Sequence, residues 1–360
     1  MTNNNKTRIV VGLSGGVDSS AAASLLVEQG YDVVGITLKV WPQDCVSRAE
    51  DKCCGPQAVM DARSVADKLD IPYYLVDESK EFQRDVIDYF AAEYKAGRTP
   101  NPCVMCNEKL KFGNLIDRAR KLGAEYVATG HYARLEQRDG RTVLLRGRDA
   151  RKDQTYFLFS LGQEQLAHMM FPLGELQKSE TREVARCVNL KTAEKQESQE
   201  ICFVPDKDYK KFLTTAGLVE EHRGEIVDTR GQVLGHHDGI EFYTIGQRKG
   251  LGISSPTPMY VIELDPENNR VVVGGEALLL RDEFRIDRCN WIAFERLAKP
   301  IEASAAIRYN HPGTEATVIP GENGQATVKL REPQRAVTPG QACVFYQDDL
   351  VVGGGWIMRN

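Results

Sequence analysis

Ile9-Val10-Val11-Gly12-Leu13-Ser14-Gly15-Gly16-Val17-Asp18-Ser19-Ser20 passes from an apolar, β-branched run through two glycines into the helix-forming Ala21-Ala22-Ala23-Ser24-Leu25-Leu26. A buried strand that enters a glycine turn at a helix N-terminus leaves successive backbone N–H groups able to close on an anion. Ser14, Ser19 and Ser20 add hydroxyl donors. No Gly-Lys-Ser/Thr ending follows, so the loop carries no lysine of its own for a γ-phosphate, and a pyrophosphate unit is the anion it is expected to hold. Asp18 is a candidate magnesium ligand. A plain strand–turn–helix corner with a glycine-rich turn is the bland alternative; the flanking strand and helix are the context that the phosphate reading requires.

Outward from this loop, short β-rich runs alternate with helical stretches. Strands are expected at 8–13, 32–38, 72–76 and 125–129, and helices at 19–29, 58–69, 79–95, 108–122 and 179–187. Phe82, Val86, Tyr89 and Phe90 recur at a spacing that sets them on one helix face. The expected fold class is α/β, opening with a doubly wound parallel sheet covered on both faces. Ligands in such sheets bind beyond the carboxyl ends of the strands. That rule gathers the 14–20 loop, the loop after Leu38, and Gly130-His131 around one crevice.

After residue 206 helical periodicity fades into short runs at 241–245, 258–264 and 270–274. Further runs at 302–309, 315–319, 326–330 and 342–346 are broken by Pro312-Gly313, Gly321, Asn323-Gly324 and Pro339-Gly340. The pattern predicts three parts: 1–205 for the parallel-sheet domain, 206–281 for a small β-rich central domain, and 282–360 for a C-terminal β-barrel.

The 360 residues are 42% hydrophobic and 27% charged, an ordinary globular balance, and the net charge of −5 gives no global attraction to nucleic acid or membrane. A local basic surface must be sought instead, and Arg146, Arg148, Arg151 and Lys152 form one candidate, or a solvated charged loop. The N-terminus runs into the first strand without a long apolar segment, so a cytoplasmic protein with no membrane partner is expected. Nine cysteines, an odd number, argue against a disulfide framework and for chemistry at a few of them.

Thr99-Pro100-Asn101-Pro102-Cys103-Val104-Met105-Cys106-Asn107 is expected to be a stiff extended loop ahead of a helix. A helix N-terminus and the nearby Lys109 and Lys111 would favour the Cys106 thiolate, making it a candidate nucleophile. Cys103-x-x-Cys106 also has the spacing of half a zinc or iron–sulfur site, without a second matching pair. Cys202, in Glu197-Ser198-Gln199-Glu200-Ile201-Cys202-Phe203, is a candidate third thiol or a buried one. Cys45, Cys53 and Cys54 are read as incidental, and Cys187, Cys289 and Cys343 as core residues.

Gly12-Leu13-Ser14-Gly15-Gly16-Val17-Asp18-Ser19 resembles the pyrophosphatase loop of adenylating ATP pyrophosphatases. With Asn101-Pro102-x-x-x-Cys106-Asn107, Ala128-Thr129-Gly130-His131-Tyr132-Ala133-Arg134, Lys152-Asp153-Gln154-Thr155-Tyr156-Phe157, Ile201-Cys202-Phe203 and Tyr243-Thr244-Ile245-Gly246-Gln247-Arg248-Lys249-Gly250-Leu251-Gly252, the chain resembles the bacterial tRNA-specific 2-thiouridylases. The likeness runs to Gly353-Gly354-Gly355-Trp356-Ile357.

The resemblance implies an ATP-pyrophosphatase domain that adenylates the C2 oxygen of a tRNA wobble uridine with ATP and Mg²⁺, releasing pyrophosphate. Sulfur carried on Cys202 as a persulfide would then attack C2, and Cys106 would resolve it by forming a disulfide with Cys202. It further implies nucleotide contacts at Gly12 to Ser19, Leu38 and Gly130, and base contacts at Asn101, Pro102 and Cys103. RNA contacts would fall at His131, Lys152, Asp153, Gln154, Arg308, Tyr309 and Gln341. Tyr309 can stack on a base and Arg308 pair with phosphate, or both can be strand residues facing solvent. The partners implied are tRNA and a sulfur-carrier protein or other persulfide or sulfide donor.

Many such enzymes carry an aspartate where this chain has Cys103, an acid/base candidate for thiolation. Cys103 then takes that role, or the role is dispensable, or Cys103, Cys106 and Cys202 bind a [4Fe-4S] cluster with one open iron position. Two other function classes fit the loop alone: an ATP-dependent amide-forming ligase, which leaves the cysteines unexplained, and a non-catalytic tRNA-binding protein, against which the intact Ser-Gly-Gly-x-Asp-Ser pattern argues.

Overall fold

The computed structural model describes residues 6–40, 55–195 and 201–359, so Cys45, Cys53, Cys54 and positions 197–200 of the Cys202 motif lie outside the described residues. The chain divides into two compact units, one formed by 1–86, 103–205 and 349–351, the other by 87–102, 206–348 and 352–360.

Seven strands occur in the first unit: β1 (Arg8–Gly12), β2 (Asp32–Lys39), β3 (Tyr73–Asp77), β4 (Tyr126–Ala128), β5 (Ala133–Arg138), β6 (Arg141–Arg146) and β7 (Met169–Met170). Five of them form a parallel sheet in the order β3-β2-β1-β4-β7. Ile9, Val10 and Val11 are fully enclosed, as a central strand covered on both faces must be. Strand order reverses at β1, with β2 on one side and β4 on the other, which sets the loops after β1 and β4 side by side at the switch point. The doubly wound parallel sheet is thus present, with its switch point at the glycine loop.

Helix α1 (Val17–Glu28) buries Ala21, Ala22 and Ala23 completely. One side of it joins Ile9, Val11 and Val33 with helix α2 (Pro56–Lys68) and Ala185 of helix α3 (Lys178–Cys187); the other meets Tyr132 and Leu173. A helix enclosed around its whole circumference needs small residues, which explains the alanine run. The β5–β6 hairpin turns on Asp139-Gly140, both with positive φ, the pairing that a tight hairpin turn asks for.

Two helical runs contain π-helical segments, Gln83–Asp88 and Cys106–Asn114. The second starts with an α turn at Pro102–Met105. The 99–107 stretch is therefore helical from Pro102 onward, not extended throughout; proline at the first helical position supplies the right φ and lacks only an N–H that would have had no helical partner. Glu78, enclosed just beyond β3, holds the far end of this run: its carboxylate accepts from Asn114 at 2.6 Å and from Arg118 at 3.0 and 3.2 Å.

The second unit contains a four-stranded sheet of β8 (Gly224–Val227), β9 (Val233–His237), β10 (Tyr260–Asp265) and β11 (Arg270–Gly274) in the order β10-β11-β8-β9. A barrel follows, built from β12 (Leu280–Trp291), β13 (Ile301–Ala306), β14 (Thr314–Pro320), β15 (Ala326–Arg335), β16 (Ala342–Gln347) and β17 (Leu350–Ile357). Its order is β12-β15-β14-β13-β16-β17, and pairing of β12 with β17 closes it around Phe284, Ile286, Val318, Val328, Phe345 and Val352. Segment 87–102 packs with this unit through Tyr94, stacked on Tyr209 at 4.7 Å, and through Phe90 against Phe212.

Two expectations are corrected. The 241–245 run is no strand: Ile240–Phe242 is a 3₁₀ turn entered from Gly239 at positive φ. Cys187 is exposed, because it lies on the solvent side of the last turn of α3; Cys343 is enclosed and Cys289 packs on the barrel core.

Candidate active site

Gly12 and Leu13 deliver the chain from β1 into the loop, anchored by Leu13 N–H on the Ile36 carbonyl at 2.8 Å and by Thr37 Oγ1 on the Leu13 carbonyl at 2.6 Å. Gly15 has φ +70°, and a Cβ there would sit 2.2 Å from the Ala58 carbonyl oxygen, so only glycine fits. α1 starts from Gly16 without a side-chain cap, leaving its first-turn N–H groups pointing at the space where an anion would lie. Val17 is enclosed beneath, Ser14 is exposed at the rim, and the Ser14 and Ser19 hydroxyls are 3.2 Å apart. A cradle that a side chain would fill, uncapped and rimmed by hydroxyls, suits a pyrophosphate group.

The cradle draws its positive charge from remote sequence. Lys178, the first residue of α3, places Nζ 2.6 Å from Asp18 Oδ1 and 5.6 Å above the Tyr132 ring. The Tyr132 hydroxyl is 3.0 Å from the same oxygen and 2.9 Å from Thr181 Oγ1. Lys195 places Nζ 3.1 Å from the Gly15 carbonyl and 2.6 Å from Asp61 Oδ2. Neither lysine was singled out in the sequence. One signal was available: a lysine at a helix's first position opposes the helix dipole and needs another reason to be there. Asp18, the expected magnesium ligand, already has Oδ1 engaged by Lys178 and Tyr132.

On the opposite wall, a Cβ at Gly130 would lie 2.6 Å from the Asp18–Ser19 peptide, so the loop after β4 rests directly on the cradle. Leu38, near the end of β2, is half-buried on the other side of β1. His131, expected at an RNA surface, is enclosed between Phe112 and Phe171 with Nδ1 2.8 Å from Thr129 Oγ1. Burial, with Lys111 nearby, pushes its pKa well down, so the ring is neutral. Asp153 is also enclosed: its carboxylate takes bonds from Arg146, Gly147 N–H, and both N–H and hydroxyl of Thr155. Gln154 accepts from Tyr132 N–H. Lys152 is half-buried and Arg151 exposed, whereas Arg146 is committed to Asp153.

Cys103 and Cys106 lie one helical turn apart in the first turns of the 102–121 helical run, both half-buried. Cys202 is half-buried in the same unit, beside Phe203, which is enclosed against Phe82. Among the described residues no three His, Cys, Asp or Glu side chains come together as metal ligands. Cys103 and Cys106 are set one turn apart by the helix.

In the second unit, Asn101 and Pro102 are buried. Gln341, expected at the RNA, donates its amide to the Thr99 and Pro100 carbonyls at 3.0 and 3.2 Å, while Thr99 N–H bonds the Pro339 carbonyl. The barrel thereby fixes the backbone leading into Asn101. Arg308 and Tyr309 lie in the turn after β13, exposed, which rules out the strand alternative for them.

Comparison with known proteins adds three findings. Residues 7–206 match the tRNA methyl transferase HUP domain, 210–275 the tRNA methyl transferase PRC-barrel domain and 281–357 the aminomethyltransferase beta-barrel domain. The chain is 49% identical over 353 residues to tRNA-specific 2-thiouridylase MnmA of Clostridium perfringens (strain ATCC 13124), covering 98% of each chain. It is 51% identical over 351 residues to that of Moorella thermoacetica, covering 97% of this chain and 98% of the other. Among solved structures, a U34-tRNA thiolase NcsA from Methanococcus maripaludis with its [4Fe-4S] cluster covers 54% of this chain and 60% of that chain at 17% identity, with a TM-score of 0.35; no cluster is carried over from it.

Gly15→Ala is expected to abolish ATP binding, measured by equilibrium titration, because the added methyl meets the Ala58 backbone and not a movable side chain, so the loop must shift. Enclosure of neutral His131 makes stability pH-dependent. The unfolded chain takes up its proton below about pH 6.5 and the folded chain does not, so stability is full above that pH and falls by about 1.4 kcal/mol per unit below it. Urea titrations of His131→Gln between pH 5 and 7 should show a correspondingly shallower slope.

Proposed function

The chain belongs to the tRNA-specific 2-thiouridylase family, and from that premise we propose a division of labour in which the Ser14–Ser19 cradle activates the uridine C2 oxygen and the cysteines replace it with sulfur. The activity is ATP-dependent formation of 2-thiouridine in tRNA. The observation that carries the division is the uncapped glycine cradle with Lys178 and Lys195 brought onto it, in the same compact unit as half-buried Cys106 and Cys202.

The C2 oxygen attacks the α-phosphate of ATP, giving an adenylated base and pyrophosphate. Backbone N–H groups of the loop hold the departing pyrophosphate, and Lys178 and Lys195 offset its charge. Asp18 would hold a magnesium ion through its remaining oxygen, and that ion would add further positive charge at the phosphates. Leu38 and Gly130 flank the nucleotide. The outer sulfur of a Cys202 persulfide then bonds to C2 as AMP leaves, and the Cys106 thiolate attacks Cys202 Sγ. The S–S bond to the base sulfur breaks, 2-thiouridine departs, and a Cys106–Cys202 disulfide remains for an external dithiol to reduce.

Reaching C2 requires the uridine to leave its stack, and Asn101, Pro102 and Cys103 are the residues that would contact the base. Lys152, Arg308 and Tyr309 supply exposed or half-exposed contacts for RNA. His131, Asp153, Gln154 and Gln341 act through the loops they fix. The sulfur arrives from a persulfide-carrying donor protein, and the reaction takes place in the cytoplasm; no helix among the described residues is long and apolar enough to cross a membrane. No step is routed through a [4Fe-4S] cluster.

Incubation with unmodified tRNA, ATP, magnesium and a persulfide donor, followed by nucleoside analysis of digested tRNA, is expected to yield 2-thiouridine. Cys202→Ser should retain tRNA-dependent pyrophosphate release yet give no 2-thiouridine; thiolation surviving in that variant sinks the persulfide role. Lys178→Ala removes a charge-assisted contact of ~1.5–3 kcal/mol, so the KM for ATP should rise about 10- to 100-fold in a pyrophosphate-release assay.

A further inference from the structure

The Tyr243–Gly252 motif has no part in the chemistry above, yet it is one of the most tightly specified loops in the second unit. Gln247 clasps it from within: Oε1 accepts Thr244 N–H at 3.2 Å and Nε2 donates to the Lys249 carbonyl at 3.0 Å. Outside the clasp, Gly246 N–H bonds the Val261 carbonyl at 2.8 Å, and Val261 N–H returns to the Gln247 carbonyl at 2.9 Å, tying the loop to β10. Gly246, Gly250 and Gly252 have φ of +86°, +73° and +68°, turns that side chains resist. At the apex this framework presents Arg248 and Lys249, both exposed and with no ion pair or side-chain hydrogen bond among the described residues.

Several other cations are engaged by carboxylates. Arg146, Arg134, Arg270 and Lys195 each face a carboxylate. Two adjacent uncommitted cations on a rigid turn, in a chain of net charge −5, concentrate positive potential where the whole molecule supplies none. A third cation adjoins the motif's base: Lys210 lies 5.3 Å over the Tyr243 ring. Its neighbour Tyr209 stacks on Tyr94, in the segment that leads to Asn101. The apex carries no exposed apolar side chain, the feature a protein-binding surface needs at its centre.

We propose that the Gly246–Gly252 loop is a phosphate-gripping site for the RNA backbone of the substrate, with Arg248 and Lys249 as the contacts and Gln247 as the residue that positions them. This rests on the reading of tRNA as substrate. Phosphate contacts position nucleic acid without reading sequence and make affinity depend on salt.

The test compares the full chain with Arg248→Gln/Lys249→Gln and with the charge-preserving Arg248→Lys/Lys249→Arg, measuring unmodified tRNA binding across ionic strengths, ATP binding, and thiolation with a small-molecule persulfide as sulfur source. The neutral variant is expected to bind tRNA about tenfold or more weakly near 0.1 M salt, with the slope of log K against log salt reduced by roughly 1–2. Its ATP affinity and its kcat at saturating tRNA should stay within about twofold of the parent, and the charge-preserving variant should keep the parent's slope. Unchanged tRNA affinity and slope in the neutral variant overturn the proposal. So does a defect confined to assays with a protein sulfur donor, which would assign the loop to that protein, and so does equal loss in the charge-preserving variant. A parent chain that binds no tRNA would overturn the substrate reading along with it.

Discussion

Gly15 lies so near the Ala58 carbonyl, and Gly130 so near the Asp18–Ser19 peptide, that a single methyl group at either would overlap backbone. Three pieces of chain meet at the end of β1 with nothing but main chain between them. Because backbone moves only with its whole element, this contact fixes the relative placement of β1, β4 and the N-termini of α1 and α2 at once. The alanine run of α1 follows from the same closeness, since a helix pressed between two clusters has room only for small side chains.

Charge is the second constraint, and it is met at long range. The loop supplies N–H groups and hydroxyls but no cation, and its two lysines come from 160 and 180 residues downstream of their partners. Lys195 also stands seven residues ahead of Cys202 in the chain.

The strands around the loop were legible because both faces of the sheet are covered, which writes continuous β-branched runs such as Ile9-Val10-Val11 into the sequence. Strand β12 was not legible: of Leu280–Trp291 only Phe284 and Ile286 are enclosed, and the charges between them hide the alternation, so a domain boundary fell inside a strand. β17 was masked by Gly353, Gly354 and Gly355, which read as loop but allow the close approach of Asn290 and Asp287. The β5–β6 hairpin went unread, although Asp139-Gly140 is a pairing that tight hairpin turns favour. Within the site, the cradle could be read from its glycine spacing, whereas the enclosure of His131 and Asp153 and the bonding of Gln341 to the Thr99 and Pro100 carbonyls come from the tertiary fold, which no local pattern announces. The lysines escaped because no local pattern links them to their partners.

The π-helical winding from Cys106 to Asn114 has a consequence for timing around the helix axis. Asn107 and Phe112, five residues apart, are both enclosed; in an α-helix they would point about 140° apart, and the i→i+5 winding narrows that angle. Asn114 is pinned to Glu78 at the far end, so the number of residues between pin and thiol sets the rotational phase at which Cys106 is presented. Helix length here works like the tooth count of a gear: one residue fewer would swing the sulfur by roughly a quarter of a turn.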